Sequence, residues 1–337
     1  MAPTTLLSQI RARVTVDVDS MDPDVAARHT TAEHKFCDMT SNQAIVYSEA
    51  IRPERAQVFN AAVNQIRSAE AQQLQLDLES QVSDAIDLFT VLLAKEVYPH
   101  ITGRVHAQTS PSTAYDTEAT IQHAKKIVAL FEANGIPKSR VCIKIPATPE
   151  SIVACNYLER LGIRTLATCL FSVPQAMAAH QAGCLYVAPY FNELRVHFEP
   201  GVWKEYADTA REHPMAPVIG AIVQLYKEIG ARTLVMPASI VTAKEVLALV
   251  SLNPDHLTLS GAVLDELASK DSLASLDEDP KPHHSENINY LENGAAALRE
   301  AFAADAEASR KMADALKIFG EMEEKTKELL RAAFKKA

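Results

Sequence analysis

Apolar residues change period along this chain in a regular way. Short stretches rich in β-branched and apolar residues alternate with longer ones whose apolar positions recur at helical spacing. Eight β-rich runs stand out, at 13–19, 36–40, 104–110, 140–148, 164–171, 184–190, 232–239 and 256–260, and the one at 36–40 is weak by propensity. Helical patterns follow most of them, at 53–69, 80–97, 117–133, 149–161, 173–182, 218–229, 243–250 and 262–269. Several of these close on a glycine, at Asn134-Gly135, Gly162, Gly183 and Gly230, as left-handed helix ends require. Strand, helix, strand, helix, eight times over with short connections, predicts a single-domain (β/α)8 TIM barrel spanning residues 1–337. A doubly wound open sheet is the alternative, but the glycine-rich first turn of that fold is missing. Residues 271–287 are charged and proline-bearing and read as a surface loop, in which the adjacent His283 and His284 are ordinary surface residues. Residues 289–334 keep apolar positions at helical spacing among Lys and Glu. They predict one or two amphipathic helices packed outside the barrel.

Composition narrows the function. The 337 residues are 47% hydrophobic and carry a formal net charge of −10, which argues against nucleic acid and anionic membrane as partners. No apolar run approaches membrane-spanning length, and the expected setting is cytoplasmic. The five cysteines include no Cys-x-x-Cys pair, so neither a disulfide framework nor a zinc ribbon is expected. Neither glycine-rich nucleotide motif occurs, no His/Glu cluster favours a metal, and no cofactor is expected. The C-terminal helices leave both a monomer and a homodimer open.

A barrel places its chemistry at the C-terminal ends of the strands. Collected there are Asp17 and Asp19, then Asp38, Thr40, Ser41 and Asn42, then Gln108, Thr109 and Ser110. Lys144, Thr168, Ser172, Tyr190, Asn192, Ser239 and Ser260 complete the set. Lys144 lies among Cys142, Ile143 and Ile145, in a strand stopped by Pro146 and followed by a helix that Thr148-Pro149 opens. An isolated strand lysine is commonly an edge residue that discourages aggregation. Here it is one amine in a ring of carboxylate, phenol, amide and hydroxyl groups. Poor solvation lowers an amine's pKa, and a neutral amine attacks a carbonyl to form a Schiff base. A small-molecule carbonyl compound is therefore the expected partner.

Three pieces carry a family resemblance: Gly103-Arg104 through Tyr115-Asp116-Thr117-Glu118-Ala119, Ile143-Lys144-Ile145-Pro146-Ala147-Thr148, and Ala188-Pro189-Tyr190. With them the chain resembles the transaldolase family of class I aldolases over roughly residues 10 to 330. Thr40-Ser41-Asn42 resembles the family's Thr-Thr-Asn-Pro-Ser turn, with Gln43-Ala44 in place of Pro-Ser. The resemblance implies that Lys144 forms the Schiff base, that Asp19 transfers a proton, and that Asn42 lies beside the substrate. Gln108 and Tyr190 stand where classical transaldolases have Glu and Phe. That pair, with Leu166, Thr168 and Ala188, resembles the fructose-6-phosphate aldolase branch, although the chain length and C-terminal helices resemble classical transaldolase. The family's basic phosphate-holding positions correspond to Glu193 and Val241. An acid and an apolar residue cannot make charge-assisted contacts to phosphate, and Glu193 is expected to repel it. Arg195 and Lys244 are the nearby candidates to replace those contacts.

Three readings follow. One is a lysine-dependent aldolase acting on an unphosphorylated carbonyl compound, with Asn192, Ser239, Ala188, Glu193 and Val241 around its substrate. The second is a classical transaldolase that moves dihydroxyacetone between sugar phosphates. The third is a catalytically silent barrel with a binding role. Against the third stands the retention of Asp19, Asn42, Lys144 and Thr168 together, since a desolvated lysine costs stability.

Overall fold

The computed structural model describes residues 5–31, 34–68, 77–276 and 288–336. Seven parallel strands form the interior: β1 (Thr15–Val18), β2 (Val105–Gln108), β3 (Val141–Pro146), β4 (Arg164–Leu170), β5 (Tyr186–Pro189), β6 (Leu234–Val235) and β7 (His256–Leu259). They pair as β2-β3-β4-β5-β6 and as β1-β7. The eighth place, between β1 and β2, is held by the 36–40 segment through single bridges. Met39 pairs with Val18 on one side and Val105 on the other. On the far side Asp255 N–H donates to Val235 O (3.1 Å) and Thr258 N–H to Pro237 O (3.4 Å), joining β6 to β7 and completing the ring. This is the (β/α)8 arrangement that the alternating periodicity predicts.

The strands are shorter than their apolar runs, and two are reduced most. The 36–40 run is reduced to bridges. Asp38 there turns its carboxylate on Arg104 N–H (2.6 Å) and His106 Nε2 (2.7 Å). The 232–239 run keeps only two ladder residues, with a further bridge from Ala238 to Tyr190. Pro237 has no N–H to give the ladder. The predicted helix at 53–69 divides into a 3-10 turn, Pro53–Arg55, and a helix, Ala56–Ile66; residue 69 lies outside the described residues. Short helices at Pro23–Arg28 and Gln43–Ala50 were not expected. Each has a clear start, with Asp22 Oδ1 accepting from Asp24 N–H and Asn42 Oδ1 from the Ala44 and Ile45 N–H groups. The paired histidines at 283 and 284, and most of the predicted surface loop, lie outside the described residues.

One contiguous apolar core runs from Leu6 to Phe319 and includes residues of all seven strands. Four cysteines, Cys142, Cys155, Cys169 and Cys184, are buried in it as small apolar groups. The interior also holds two buried ion pairs, Asp17 with His256 (2.8 Å) and Asp38 with His106 (2.7 Å), with the Tyr186 ring between the two imidazoles. Asp17, Cys37 and His256 bring donor atoms within 4.8 Å of one another, a cluster invisible in the linear spacing. Asp17 and His256 already satisfy each other, and burial beside Asp38 pushes the Cys37 thiol up, so pairing accounts for the group.

The last two helices divide their work. Glu292–Ala304 packs outside, with Arg299 reaching Glu150 (2.8 Å). Ala306–Lys335 instead crosses the rim on the C-terminal side of the strands. Arg310 pairs with Glu193 (2.7 Å), Lys311 lies 5.7 Å from the Phe171 ring centre, and Glu323 accepts from Ser110 Oγ (3.0 Å). No helix among the described residues is long and apolar enough to cross a membrane.

Candidate active site

Every residue of β3 is buried, so Lys144 comes up in the barrel interior and not at an edge. Pro146 ends the strand. Thr148 then caps the helix Pro149–Arg160, its Oγ1 accepting from Ser151 N–H (3.1 Å), as Thr-Pro predicts. Lys144 is 2% exposed. Among the described residues its Nζ has no hydrogen bond or ion pair, and it lies 6.0 Å from the centre of the Tyr190 ring. It forms part of the wall of a cavity of about 450 Å³ that opens at the C-terminal end of the barrel. An interior amine free of partners, facing an open cavity, is placed to meet a ligand carbonyl.

The inner wall is polar. Asp19, at the end of β1, accepts from Thr40 Oγ1 (2.6 Å), and Thr40 in turn lies 2.5 Å from Thr258 Oγ1. Tyr190 is buried, and its hydroxyl accepts from Thr168 Oγ1 (3.2 Å). Burial, then the nearby Cys169 and Asp19, push its phenol well above the ordinary value, so Tyr190 stays protonated. Cys169 occupies a bulge of β4 with φ of 51°, and burial pushes its thiol up to about 12 against the pull of Lys144. Asn42 faces the same cavity while its Oδ1 caps the helix Gln43–Ala50, which leaves its amide nitrogen for a ligand. Ser239 reaches the wall in a left-handed conformation (φ 59°), a strained geometry of the kind that clusters at ligand sites.

The outer wall is apolar, built by Ala44, Ile45, Leu194, Phe198, Ile240 and Val241. Strand-end reasoning does not reach these residues, because most sit one turn or more beyond a strand. Neither does it reach His197, which ends the 3-10 turn Leu194–His197 and shares a 2.9 Å hydrogen bond with Ser239 Oγ. His197 keeps one edge in solvent. The surrounding loops still exclude enough water to push its pKa down, against the pull of Asp19.

The remaining expected site residues sit behind or beside the wall. Gln108 is in register with Lys144 but does not line its cavity, and its Nε2 donates to Gln43 Oε1 (2.7 Å). Ala188 is a buried residue of β5. Asn192 ties two loops together, donating to Ser239 O (3.0 Å) and Glu245 Oε2 (2.9 Å). Glu193 is turned outward onto Arg310, so it is not available to repel a ligand in the cavity. Arg195 pairs with Glu199 (2.7 Å), and Lys244 donates to Tyr206 O (2.5 Å). Neither lines the cavity, whose wall among the described residues includes no arginine and no lysine besides Lys144.

Residues 15–330 match the family model described as Transaldolase/Fructose-6-phosphate aldolase. The chain belongs to this family. A transaldolase of Alteromonas mediterranea is 32% identical over 329 residues, covering 96% of this chain and 97% of that protein. A transaldolase of Shewanella denitrificans is 29% identical over 326 residues (97% and 98%), and one of Haemophilus influenzae is 32% identical over 265 (78% and 79%). Family membership agrees with the closed barrel and with a lysine on an interior strand, and the match spans nearly the whole length of the first two relatives.

Proposed function

We propose that this chain is a class I, Schiff-base enzyme that makes or breaks a carbon–carbon bond next to a ketone, acting on an unphosphorylated carbonyl substrate. The observation that carries the substrate half is the cavity wall: one amine, Lys144, and otherwise neutral polar groups, one carboxylate and an apolar outer face. Phosphate recognition calls for charge-assisted donors, and among the described residues the wall offers none besides Lys144.

In this reading the lone pair of the Lys144 amine attacks the ketone carbon. Loss of water from the carbinolamine gives the iminium, which acts as an electron sink. Asp19, held by Thr40, takes the proton from the substrate hydroxyl as the carbon–carbon bond breaks. An aldehyde leaves and an enamine remains on Lys144. Protonation at carbon and hydrolysis then release a free ketone, or addition to a second aldehyde completes a transfer. Tyr190, kept neutral and held by Thr168, donates a hydrogen bond to the departing water and again to the water that attacks in hydrolysis. Asn42 and Ser239 hold substrate oxygens, and Val241 contacts its apolar part.

The runner-up is transfer of dihydroxyacetone between sugar phosphates, and the names of the relatives favour it. Parallel assays separate the two. Turnover of unphosphorylated hydroxyketones, with aliphatic aldehydes as acceptors, is expected to exceed turnover of fructose 6-phosphate with erythrose 4-phosphate. Robust turnover of the sugar phosphates alone refutes the substrate assignment.

A further inference from the structure

His197 lines the Lys144 cavity and has no part in the Schiff-base steps. It stands exposed at the mouth, at the end of the 3-10 turn Leu194–His197, while Lys144 is buried at the inner end. Its Nε2 shares a 2.9 Å hydrogen bond with Ser239 Oγ, and Ser239 lines the same cavity. Ser239 is held for this contact from behind. Its carbonyl accepts from Asn192 N–H (3.2 Å) and Asn192 Nδ2 (3.0 Å), which hold the left-handed backbone (φ 59°) against its cost. Asn192 Nδ2 also donates to Glu245 Oε2, which accepts from Val241 N–H (2.7 Å) as well. The connections after β5 and β6 are thus tied together, and the tie fixes where His197 and Ser239 meet.

Burial by the surrounding loops lowers the His197 pKa against the pull of Asp19 and Glu245, so the imidazole is neutral at pH 7.5. A neutral imidazole has one N–H and one lone pair, and serine has one O–H. One proton lies in the shared bond. Whichever partner donates it, the pair keeps one proton to give and a lone pair to receive with. A hydroxyl group donates and accepts, so it satisfies both. An alkyl end satisfies neither. An ionised group only accepts, and it would set its charge against the remaining lone pair. Around the pair stand Leu194, Phe198, Ile240 and Val241, whose side chains have no polar atom to offer instead. We propose that His197 is a specificity-determining residue that acts with Ser239 to select substrates carrying a hydroxyl at the end remote from Lys144, over those ending in an alkyl or an anionic group. The proposal rests on the reading of this cavity as the site of an unphosphorylated carbonyl substrate.

The test gives the full chain dihydroxyacetone as ketone and three aldehydes of one carbon skeleton: propanal, glyceraldehyde and glyceraldehyde 3-phosphate. Products are followed at pH 7.5 by chromatography and mass spectrometry. Ratios of kcat/KM are compared within each variant, which a loss of folded protein does not move. Glyceraldehyde is expected to be the best of the three in the native chain. His197→Phe keeps a ring and removes both nitrogens. It is expected to lower the glyceraldehyde-to-propanal ratio roughly 3- to 10-fold, the worth of one net hydrogen bond, with propanal turnover little changed. Ser239→Gly removes the hydroxyl and suits the left-handed backbone. It is expected to lower the same ratio, and the double variant to lower it no further, as for two residues acting through one contact. A native preference for propanal, or a ratio unchanged in His197→Phe, overturns the role of His197. Turnover of glyceraldehyde 3-phosphate alone overturns the unphosphorylated reading, and a native chain that forms no borohydride-trapped adduct at Lys144 overturns the Schiff-base reading; this proposal falls with either.

Discussion

The Tyr190 phenol has nowhere to put a charge. It is enclosed beside Cys169 and Asp19, and its hydroxyl accepts from Thr168 Oγ1. Ionisation is suppressed, so it acts as a donor throughout the accessible pH range. Tyr190→Phe removes the proton and little volume. Turnover is expected to fall about 10²-fold or more, the ordinary worth of a positioned acid or base, with the melting temperature nearly unchanged. Kinetics and thermal unfolding of the same preparation check both halves. Val241 allows a test of opposite sense. A guanidinium introduced by Val241→Arg would face the cavity and offer phosphate a charge-assisted bond of about 1.5–3 kcal/mol. KM for a phosphorylated substrate is expected to drop roughly tenfold or more, with little gain for the unphosphorylated one. An equal effect on both would place Val241 away from the distal part of the substrate.

Elements were legible in the sequence where local and global requirements agreed. β3, β4 and β7 are apolar runs ended by a proline, a helix cap or a serine, and they appear close to where the pattern puts them. The second barrel position was the weak run, and it is held by bridges and by buried polar contacts of Asp38. Its partners lie 21 to 68 residues away, from Asp17 to His106, which a local window does not contain. The site divides in the same manner. Lys144, Asp19, Asn42, Tyr190 and Ser239 lie at strand ends and were found from position alone. His197 and Phe198 reach the cavity from an irregular connection after β5, placed there by packing against the final helix. The outward turn of Glu193 depended on Arg310, 117 residues further on.

That same connection carries a pH-dependent anchor. His213 stacks on Phe191 (3.8 Å between ring centres), accepts from Met215 N–H at Nδ1 (3.2 Å), and is buried. Burial, helped by Lys311, lowers its pKa to about 4. A histidine held below its unfolded value near 6.5 adds stability above that value, and the contribution is lost as pH falls from about 6.5 toward 4. The loss amounts to at most about 3 kcal/mol. Denaturant titrations at pH 7.5 and 4.5 should show it, and His213→Phe should remove that part of the difference. The final helix has its own measure. Phe319 is fully buried beneath the rim, and Phe319→Ala is expected to cost about 3–5 kcal/mol, read as a shifted denaturant midpoint at constant slope.

At the scale of the whole molecule, a closed barrel presents one interior amine to one cavity, and the last helix braces the loops that form the cavity's outer wall. The family shares the barrel; here the outer wall of the cavity is apolar, and among the described residues the wall holds no arginine and no lysine other than Lys144. Those two facts together define the central claim, that Lys144 forms an imine with a ketone bearing no phosphate. Borohydride reduction in the presence of unphosphorylated hydroxyketones, followed by peptide mass spectrometry, tests it most directly. The expected result is a reduced adduct on the peptide that contains Lys144, lost in Lys144→Ala. An adduct on another lysine, or one formed with fructose 6-phosphate and with none of the unphosphorylated ketones, would contradict it.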